Sequence, residues 1–437
     1  MFLGRKKRVC VISLDGVPGS FLADAFREGR LAPLRSVWEK GEAAPLRSSI
    51  PPISSVAWTT YSTGVNPGKH GIYGFVDRDP ATMKQYIPTS RDVAVPTLWE
   101  RLGEAGLFSV VINIPLTYPV RPLAGWLVAG FPAPGLRDAV YPPELARTLV
   151  KAGYLVDPDP ALAPDPPAFF SQVKQAIACR RKVALRLLKG DWSFFHLHIM
   201  VTDRINHFFF QARSPGAPHH QDFWAAYEDI AELVGEVVDA LPKGTELVLM
   251  SDHGFAEVDW EVDLNVCLLE KGLLKLLGKG TGPERVAPGS VAYSLTPGRV
   301  YLMRKGREKD GWIRPNEAPL YLERVREALL EVHAPDGRPA VAEVLLGEEI
   351  YRGPKAALGP DLVAIPTPSV ELRGGWEGGP LARPALRQGG HTLNGAFLWI
   401  QGKSPRAGTI LDVPPTLWAL LGLPLPEEFE GKVLIDR

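Results

Sequence analysis

The chain predicts an α/β fold: a mostly parallel central sheet with helices on both faces and two insertions. Three observations lead there. Short apolar, β-branched runs alternate with amphipathic stretches along the chain. Those runs are apolar almost without interruption, as in strands buried on both faces. Hydrophobic residues make up 45% and charged residues 22% of the 437 residues, values of a folded chain long enough for one large domain with insertions.

In order, the strands are expected at 9–14, 109–114, 194–199, 246–250, 362–365 and 396–400. The clearest helix covers 223–241, where Phe223, Tyr227, Ile230, Leu233, Val234, Val237, Val238 and Leu241 fall on one stripe. Pro242 and Gly244 stop it, and the stripe reads as core. Two stretches break the alternation. Residues 115–170 are crowded with proline and read as an insertion over the sheet, a lid or substrate wall. Residues 257–344 read as a second insertion, with a short strand at 299–303 and a helix near 320–332. The Gly-rich loop at 278–289 lacks the GxxxxGK[ST] pattern of a phosphate loop.

Lys and Arg total 49 against 49 Asp and Glu, so bulk charge does not draw the protein to nucleic-acid polymers or anionic membranes. Cys10, Cys179 and Cys267 are odd in number and far apart, which suits a reducing compartment rather than a disulfide framework. A basic lead-in, Arg5 to Arg8, precedes an apolar run that is too short for a signal peptide and is broken by Asp15. No apolar stretch reaches the ~18 residues of a membrane span. The expected location is the cytoplasm.

Ligands of open α/β sheets bind beyond the carboxyl ends of the strands. Asp15 closes the first strand in VISLDG, and Asp252 and His253 close another in LVLMSDHG. Asp203 and His207 follow the strand FFHLHIM, one turn apart if that segment is helical, and His391 precedes the last strand in GGHTLNGAF. Singly, such residues are turn formers, caps or satisfied polar groups. Together, three carboxylates at one edge would repel one another without cations. Mixed Asp and His donors suit Zn²⁺ or Mn²⁺ better than Ca²⁺ or Mg²⁺. The segment SSIPPISSVAWTTYSTGVNPGKHGIYGF predicts a short helix over 55–63, closed near Gly64, with Ser54 at its N-cap. The positive end of that helix is an anion site, and a hydroxyl on a metal there loses its proton near neutral pH.

These motifs resemble the type I phosphodiesterase/nucleotide pyrophosphatase family of the alkaline phosphatase superfamily. VISLDG, PPISSVAWTTYSTGVNPGKHGIYGF, DRINHFFF, SDHGF and GGHTLNGAF occur in the family's order. VDLNVCLLEKGLLKL and GRVYLMRKGREKDG look like its middle segments, and ILDVPPTLWALLGLPLPEEFEGKVL like its tail. The resemblance runs from residue 9 to 434. It implies an alkaline-phosphatase-like sandwich forming a single catalytic domain over 1–437. It also implies a phosphoester hydrolase working on two divalent metal ions, zinc first and manganese second. By resemblance, Asp15, Ser54, Asp252 and His253 hold the metal that activates the nucleophile, and Asp203, His207 and His391 hold the other. Ser54 would form a phosphoseryl intermediate with a small phosphoester, a diester or nucleotide pyrophosphate. A phosphomonoesterase or phosphomutase on the same site, and an inactive phospholigand-binding protein, are the alternatives.

Two departures from the family pattern stand out. Its nucleophile is commonly Thr and here is Ser54, with Ser55 a rival one residue of register away. Where its nucleotide pyrophosphatases carry an Asn shortly after the nucleophile, this chain has Ala57, so another donor must hold that phosphate oxygen. Ser55 and Lys69 are the substrate-binding candidates. Ser54-Ser55-Val56-Ala57-Trp58 has neither the x-Pro-x-Arg of sulfatases nor the Arg that follows the nucleophile in alkaline phosphatases. Losing that bidentate clamp hurts a dianionic monoester more than a monoanionic diester.

Overall fold

A computed structural model describes residues 7–436, so Arg5 and Lys6 of the basic lead-in lie outside the described residues. The chain divides into two compact units, one of Met1–Val65, Thr89–Phe255 and His391–Arg437 and one of Asn66–Pro88 and Ala256–Gly390.

The first unit is built on a nine-stranded sheet. Its strands are β1 (Arg8–Leu14), β2 (Gly41–Arg47), β3 (Ser109–Ile112), β4 (Gly125–Val128), β5 (Val140–Tyr141), β6 (Phe194–Ile199), β7 (Thr245–Met250), β8 (Ala396–Gln401) and β9 (Gly408–Thr409). They lie in the order β9-β2-β8-β7-β1-β6-β3-β4-β5. The run from β7 to β4 is parallel, while β8 is antiparallel to both of its neighbours. Val9, Cys10, Val11 and Ile12 of β1 are fully buried, each aliphatic side chain contributing about 1.5–3 kcal/mol by leaving water. Helix His220–Asp239 turns Phe223, Tyr227, Ile230, Leu233, Val234 and Val237 into the core, the stripe the periodicity marks. Ser13 of β1 pairs with His198 of β6 on one side and Met250 of β7 on the other. The segments that follow, beginning at Asp15, Met200 and Ser251, therefore leave the sheet at one edge.

Four details differ from the sequence reading. The run at 362–365 is a strand, Leu362–Pro366, but it pairs antiparallel with Arg299–Leu302 and Val341–Leu346 in the second unit's own four-stranded sheet. An apolar run reports burial, not the partner that buries it. Strand β2 escapes the pattern because Pro45 interrupts it and its outer positions are exposed. Part of the proline-rich 115–170 stretch, as β4 and β5, extends the sheet edge. The short helix starts at Ser54, with Ile53 at the N-cap and no side-chain cap, so Ser54 is its first helical residue rather than its cap. The chain enters it through a tight turn in which Ile53 N–H donates to the Pro51 carbonyl, and the Ser54 hydroxyl is engaged elsewhere.

That helix, Ser54–Thr63, closes on Gly64, whose φ of +71° no L side chain adopts cheaply. A Cβ there would also run into the Phe429 ring. Gly64→Ala is expected to cost about 1–3 kcal/mol, read as a lower denaturation midpoint at unchanged slope.

In the second unit, helix Ala318–Leu330 packs on the sheet completed by Ala292–Leu295, and Arg299–Leu302 and the helix stand where the sequence places them. Cys10, Cys179 and Cys267 are free and buried. Among the described residues, no helix is long and apolar enough to cross a membrane.

Candidate metal centre and active site

Every element that carries a candidate metal ligand ends at, or starts from, the same sheet edge. Asp15 follows β1, and Asp252 and His253 follow β7. Asp203 and His207 sit one turn apart on helix Val201–Phe209, directly after β6. His391 lies in the short strand Gly389–Thr392 that leads into β8. Ser54 opens its own helix.

These seven side chains meet in two adjoining clusters. In the first, Ser54 Oγ donates to Asp15 Oδ1 at 3.2 Å and lies 3.2 Å from His253 Nε2. His253 Nε2 is 3.3 Å from Asp15 Oδ1 and 3.5 Å from Asp252 Oδ2. In the second, His391 Nε2 is 3.0 Å from Asp203 Oδ1 and 3.0 Å from His207 Nε2, and His207 Nε2 is 3.3 Å from the same Asp203 oxygen. The His253 and His391 rings stack at 3.8 Å, so the clusters share a wall. All seven side chains are buried except His391, which is partly exposed.

The donors fit metal ions. His391 donates Nδ1–H to the Pro52 carbonyl, which leaves an Nε2 lone pair against the Asp203 carboxylate at 3.0 Å. Burial, then the neighbouring His253, holds His391 below the ordinary imidazole range, so no proton relieves that contact. His253 likewise points Nδ1 at the Gly254 carbonyl and Nε2 into the first cluster. Burial disfavours its charge, yet Asp252 and Asp15 overcome this and raise its pKa to about 10. A proton is then the smallest cation available to that nitrogen. Burial and the charge of Asp15 raise Asp252, whose buried Oδ2 has no hydrogen-bond partner. Donor separations of 3.0–3.5 Å match the edge of about 3.3–3.4 Å of a tetrahedron with ~2.0–2.1 Å bonds. Among the described residues, Asp15, Asp252 and His253 form one group able to hold a metal, and Asp203, His253 and His391 another. His253 thus stands between the two sets.

Further residues support the clusters. Arg204 donates to Asp203 Oδ2 at 3.0 Å and pairs with Asp157 at 2.7 Å, with Asp203 buried and Arg204 and Asp157 slightly exposed. Trp58 Nε1 donates to Asp15 Oδ2 at 2.8 Å, and His198 Nε2 lies 3.1 Å from the same oxygen. The sequence reading gives Trp58 and His198 no role. A visible signal was the polar pair His196 and His198 on one face of an otherwise apolar strand. Ser55 is buried with its hydroxyl unpartnered, and Ala57 is buried on the same helix. Lys69 belongs to the second unit, on the short helix Pro67–His70.

This is an alkaline-phosphatase-like α/β fold, with a mostly parallel sheet and its candidate chemistry at the carboxyl edge. The chain belongs to the type I phosphodiesterase/nucleotide pyrophosphatase family, a phosphoester hydrolase family whose model matches residues 9–418. Among solved structures, phosphonoacetate hydrolase from Sinorhizobium meliloti 1021 bound to phosphonoformate is similar at 17% identity and a TM-score of 0.65, covering 95% of each chain. Murine ectonucleotide pyrophosphatase/phosphodiesterase 5 is similar at 14% identity and a TM-score of 0.58, covering 98% of this chain and 100% of that one. An inactive form of the murine protein in complex with AMP matches at 14% identity and 0.59 over the same shares. No curated protein sequence matches the chain.

Proposed function

We propose that this protein hydrolyses small phosphoesters, phosphodiesters or nucleotide pyrophosphates by preference, through a phosphoseryl intermediate on Ser54. The observation that carries the reading is the Ser54 hydroxyl, 3.2 Å from both Asp15 Oδ1 and His253 Nε2 at the first turn of a buried helix. Asp15, Ser54, Asp252 and His253 would hold one divalent ion and Asp203, His207 and His391 a second, zinc in the first instance and manganese in the second. Bound there, the ions would supply Lewis-acid charge for the serine oxygen and for the leaving oxygen.

The chain's own groups do the rest. Asp15 accepts the Ser54 hydroxyl proton in a hydrogen bond and so orients the oxygen for attack on phosphorus. The first amides of the Ser54–Thr63 helix point out of its N-terminus, where a phosphate oxygen is favoured. They supply donors that Ala57 lacks. Ser55, with its unpartnered hydroxyl, is the next candidate to contact substrate. Arg204 holds Asp203 ionised from behind and steadies it as a ligand: burial alone would raise that carboxyl, but His207, His391 and Arg204 keep it well below its usual range. Water then cleaves the phosphoserine and restores the hydroxyl.

The test is metal analysis of the purified protein beside turnover of bis-p-nitrophenyl phosphate and p-nitrophenyl phosphate, with Zn²⁺ or Mn²⁺ supplied. Two metal equivalents and a diester preference of about tenfold or more are expected, given the absent Arg clamp. A monoester preference would replace the reading with a phosphomonoesterase or phosphomutase. No turnover of a broad phosphoester panel with either metal would leave a binding protein.

A further inference from the structure

Behind the first cluster runs a chain of buried polar groups that the proposed chemistry does not use. Tyr61 Oη lies 2.8 Å from His196 Nδ1. His196 Nε2 lies 2.8 Å from Ser13 Oγ, and the same oxygen lies 2.9 Å from His198 Nδ1. His198 Nε2 lies 3.1 Å from Asp15 Oδ2, too far off line for a hydrogen bond as it stands, and this buried nitrogen has no hydrogen-bond partner. Ser13, His196, His198, Tyr61 and Asp15 are all fully buried.

With both imidazoles carrying one proton, the inventory of donors and acceptors permits one arrangement. An ionised carboxylate only accepts, so His198 carries its proton on Nε2 and offers the Nδ1 lone pair to Ser13. Ser13 must then donate to His198 and accept from His196 Nε2–H. That leaves His196 Nδ1 as the acceptor of the Tyr61 hydroxyl. Burial, then the nearby His198, keeps His196 neutral, and burial keeps Tyr61 protonated, as this arrangement needs. Every link points towards the negative charge, and hydrogen bonds aligned in this way polarise one another.

Both ends return to one helix. Trp58 donates to the same Asp15 oxygen at 2.8 Å, and Tyr61 starts the chain three residues later on the Ser54–Thr63 helix. With Oδ2 held by Trp58 and faced by His198, Oδ1 is left to face Ser54 and His253.

We propose that Tyr61, His196, Ser13 and His198 form a one-way hydrogen-bond relay that positions Asp15. The relay ties the Ser54 helix, β1 and β6 into one support for the metal centre. They are positioning residues, and the inference rests on the reading of Asp15 as a metal ligand. Partners of this kind typically set metal affinity by about 10–100-fold.

The test titrates Zn²⁺ into the metal-stripped full chain against a competing chelator. His198→Leu removes the donor and is expected to weaken one of two zinc equivalents by about 10–100-fold, while His198→Gln, which keeps an N–H near the Nε2 position, restores binding to within a few-fold. Tyr61→Phe deletes one hydroxyl without changing volume and should weaken the same equivalent by about 2- to 10-fold. The relay is overturned if His198→Leu binds both equivalents like the unaltered protein while Asp15→Asn loses one. If Asp15→Asn also keeps both, the metal reading of Asp15 is what fails, and the relay falls with it. Should His198→Leu not fold, Tyr61→Phe decides: unchanged zinc affinity overturns the relay, and weakened affinity at unchanged melting temperature supports it.

Discussion

Ser54→Ala is expected to lower turnover by about 10⁴-fold or more while the protein keeps nearly all its bound metal. The two halves of that result have separate causes. Turnover goes because no other hydroxyl occupies the point 3.2 Å from both Asp15 Oδ1 and His253 Nε2. Metal stays because Ser54 is one donor among four, and the carboxylates and imidazole beside it carry the charge and most of the coordination. Ala is also a good first-turn residue and Ile53 provides no side-chain cap, so the helix loses little. Ser55→Ala is the control. Its hydroxyl is buried without a partner, and removing it is expected to change turnover by about tenfold at most, chiefly through KM. If Ser55→Ala abolishes turnover and Ser54→Ala does not, the nucleophile is one residue further on. A single-turnover assay that traps phosphate on the protein, with the label lost in Ser54→Ala, makes the same distinction chemically.

Much of this site is legible in the amino-acid sequence because parallel strands end where their apolar runs end. Asp15, Asp252 and His253 each follow a run that is apolar but for one serine, so their place at the carboxyl edge needs only the sense of the strands. Asp203 and His207 need one more step, a helix after the strand, and helix Val201–Phe209 supplies it. Legibility stops where a residue's role depends on a distant partner. The strand Leu362–Pro366 reads as sheet from its composition, but nothing local tells it to pair with Arg299–Leu302 rather than with the main sheet. Arg204 is visible in sequence, and its ion pair with Asp157 is not, since the two lie 47 positions apart. Ser13, an unremarked polar residue in an apolar strand, gains meaning only from the register that sets it opposite His198. The position of Ser54 is a subtler case. Two prolines and a following helix mark the place within a residue, yet cap and first turn differ by one position, and helix-boundary signals do not resolve that.

The largest effect on stability is expected from Asp252→Asn, with opposite signs in the metal-free and metal-loaded protein. In the metal-free fold Asp252 is buried beside Asp15, and burial first, then that charge, raises its carboxyl above the ordinary range. A group raised in the folded state favours folding when protonated. That contribution is fully present below the ordinary carboxylate range and is lost as pH rises towards the raised folded value. Asn mimics the protonated form at every pH. Its oxygen keeps the bond that Gly16 N–H makes to Oδ1 at 3.2 Å, and the buried charge at Oδ2, which has no hydrogen-bond partner, is removed. Metal-free Asp252→Asn is therefore expected to be more stable than the unaltered chain by about 1–3 kcal/mol at neutral pH. The gap should open as pH is raised from the ordinary carboxylate range, read from denaturation midpoints in chelator. With metal restored the order reverses. The unaltered chain gains from a charged ligand what the variant cannot supply, and binding to the folded state alone adds stability in proportion to the logarithm of metal over Kd. The variant should lose about 10³-fold or more in turnover and most of its metal-induced rise in melting temperature. If Asp252→Asn is instead less stable than the unaltered chain in chelator, Asp252 supports the fold through contacts of its own, and the strain assigned to the carboxylate cluster is absent. A variant that is stabilised without metal and crippled with it would mean that the crowding of Asp15, Asp252 and His253 is retained at a cost to the empty fold because of what it binds.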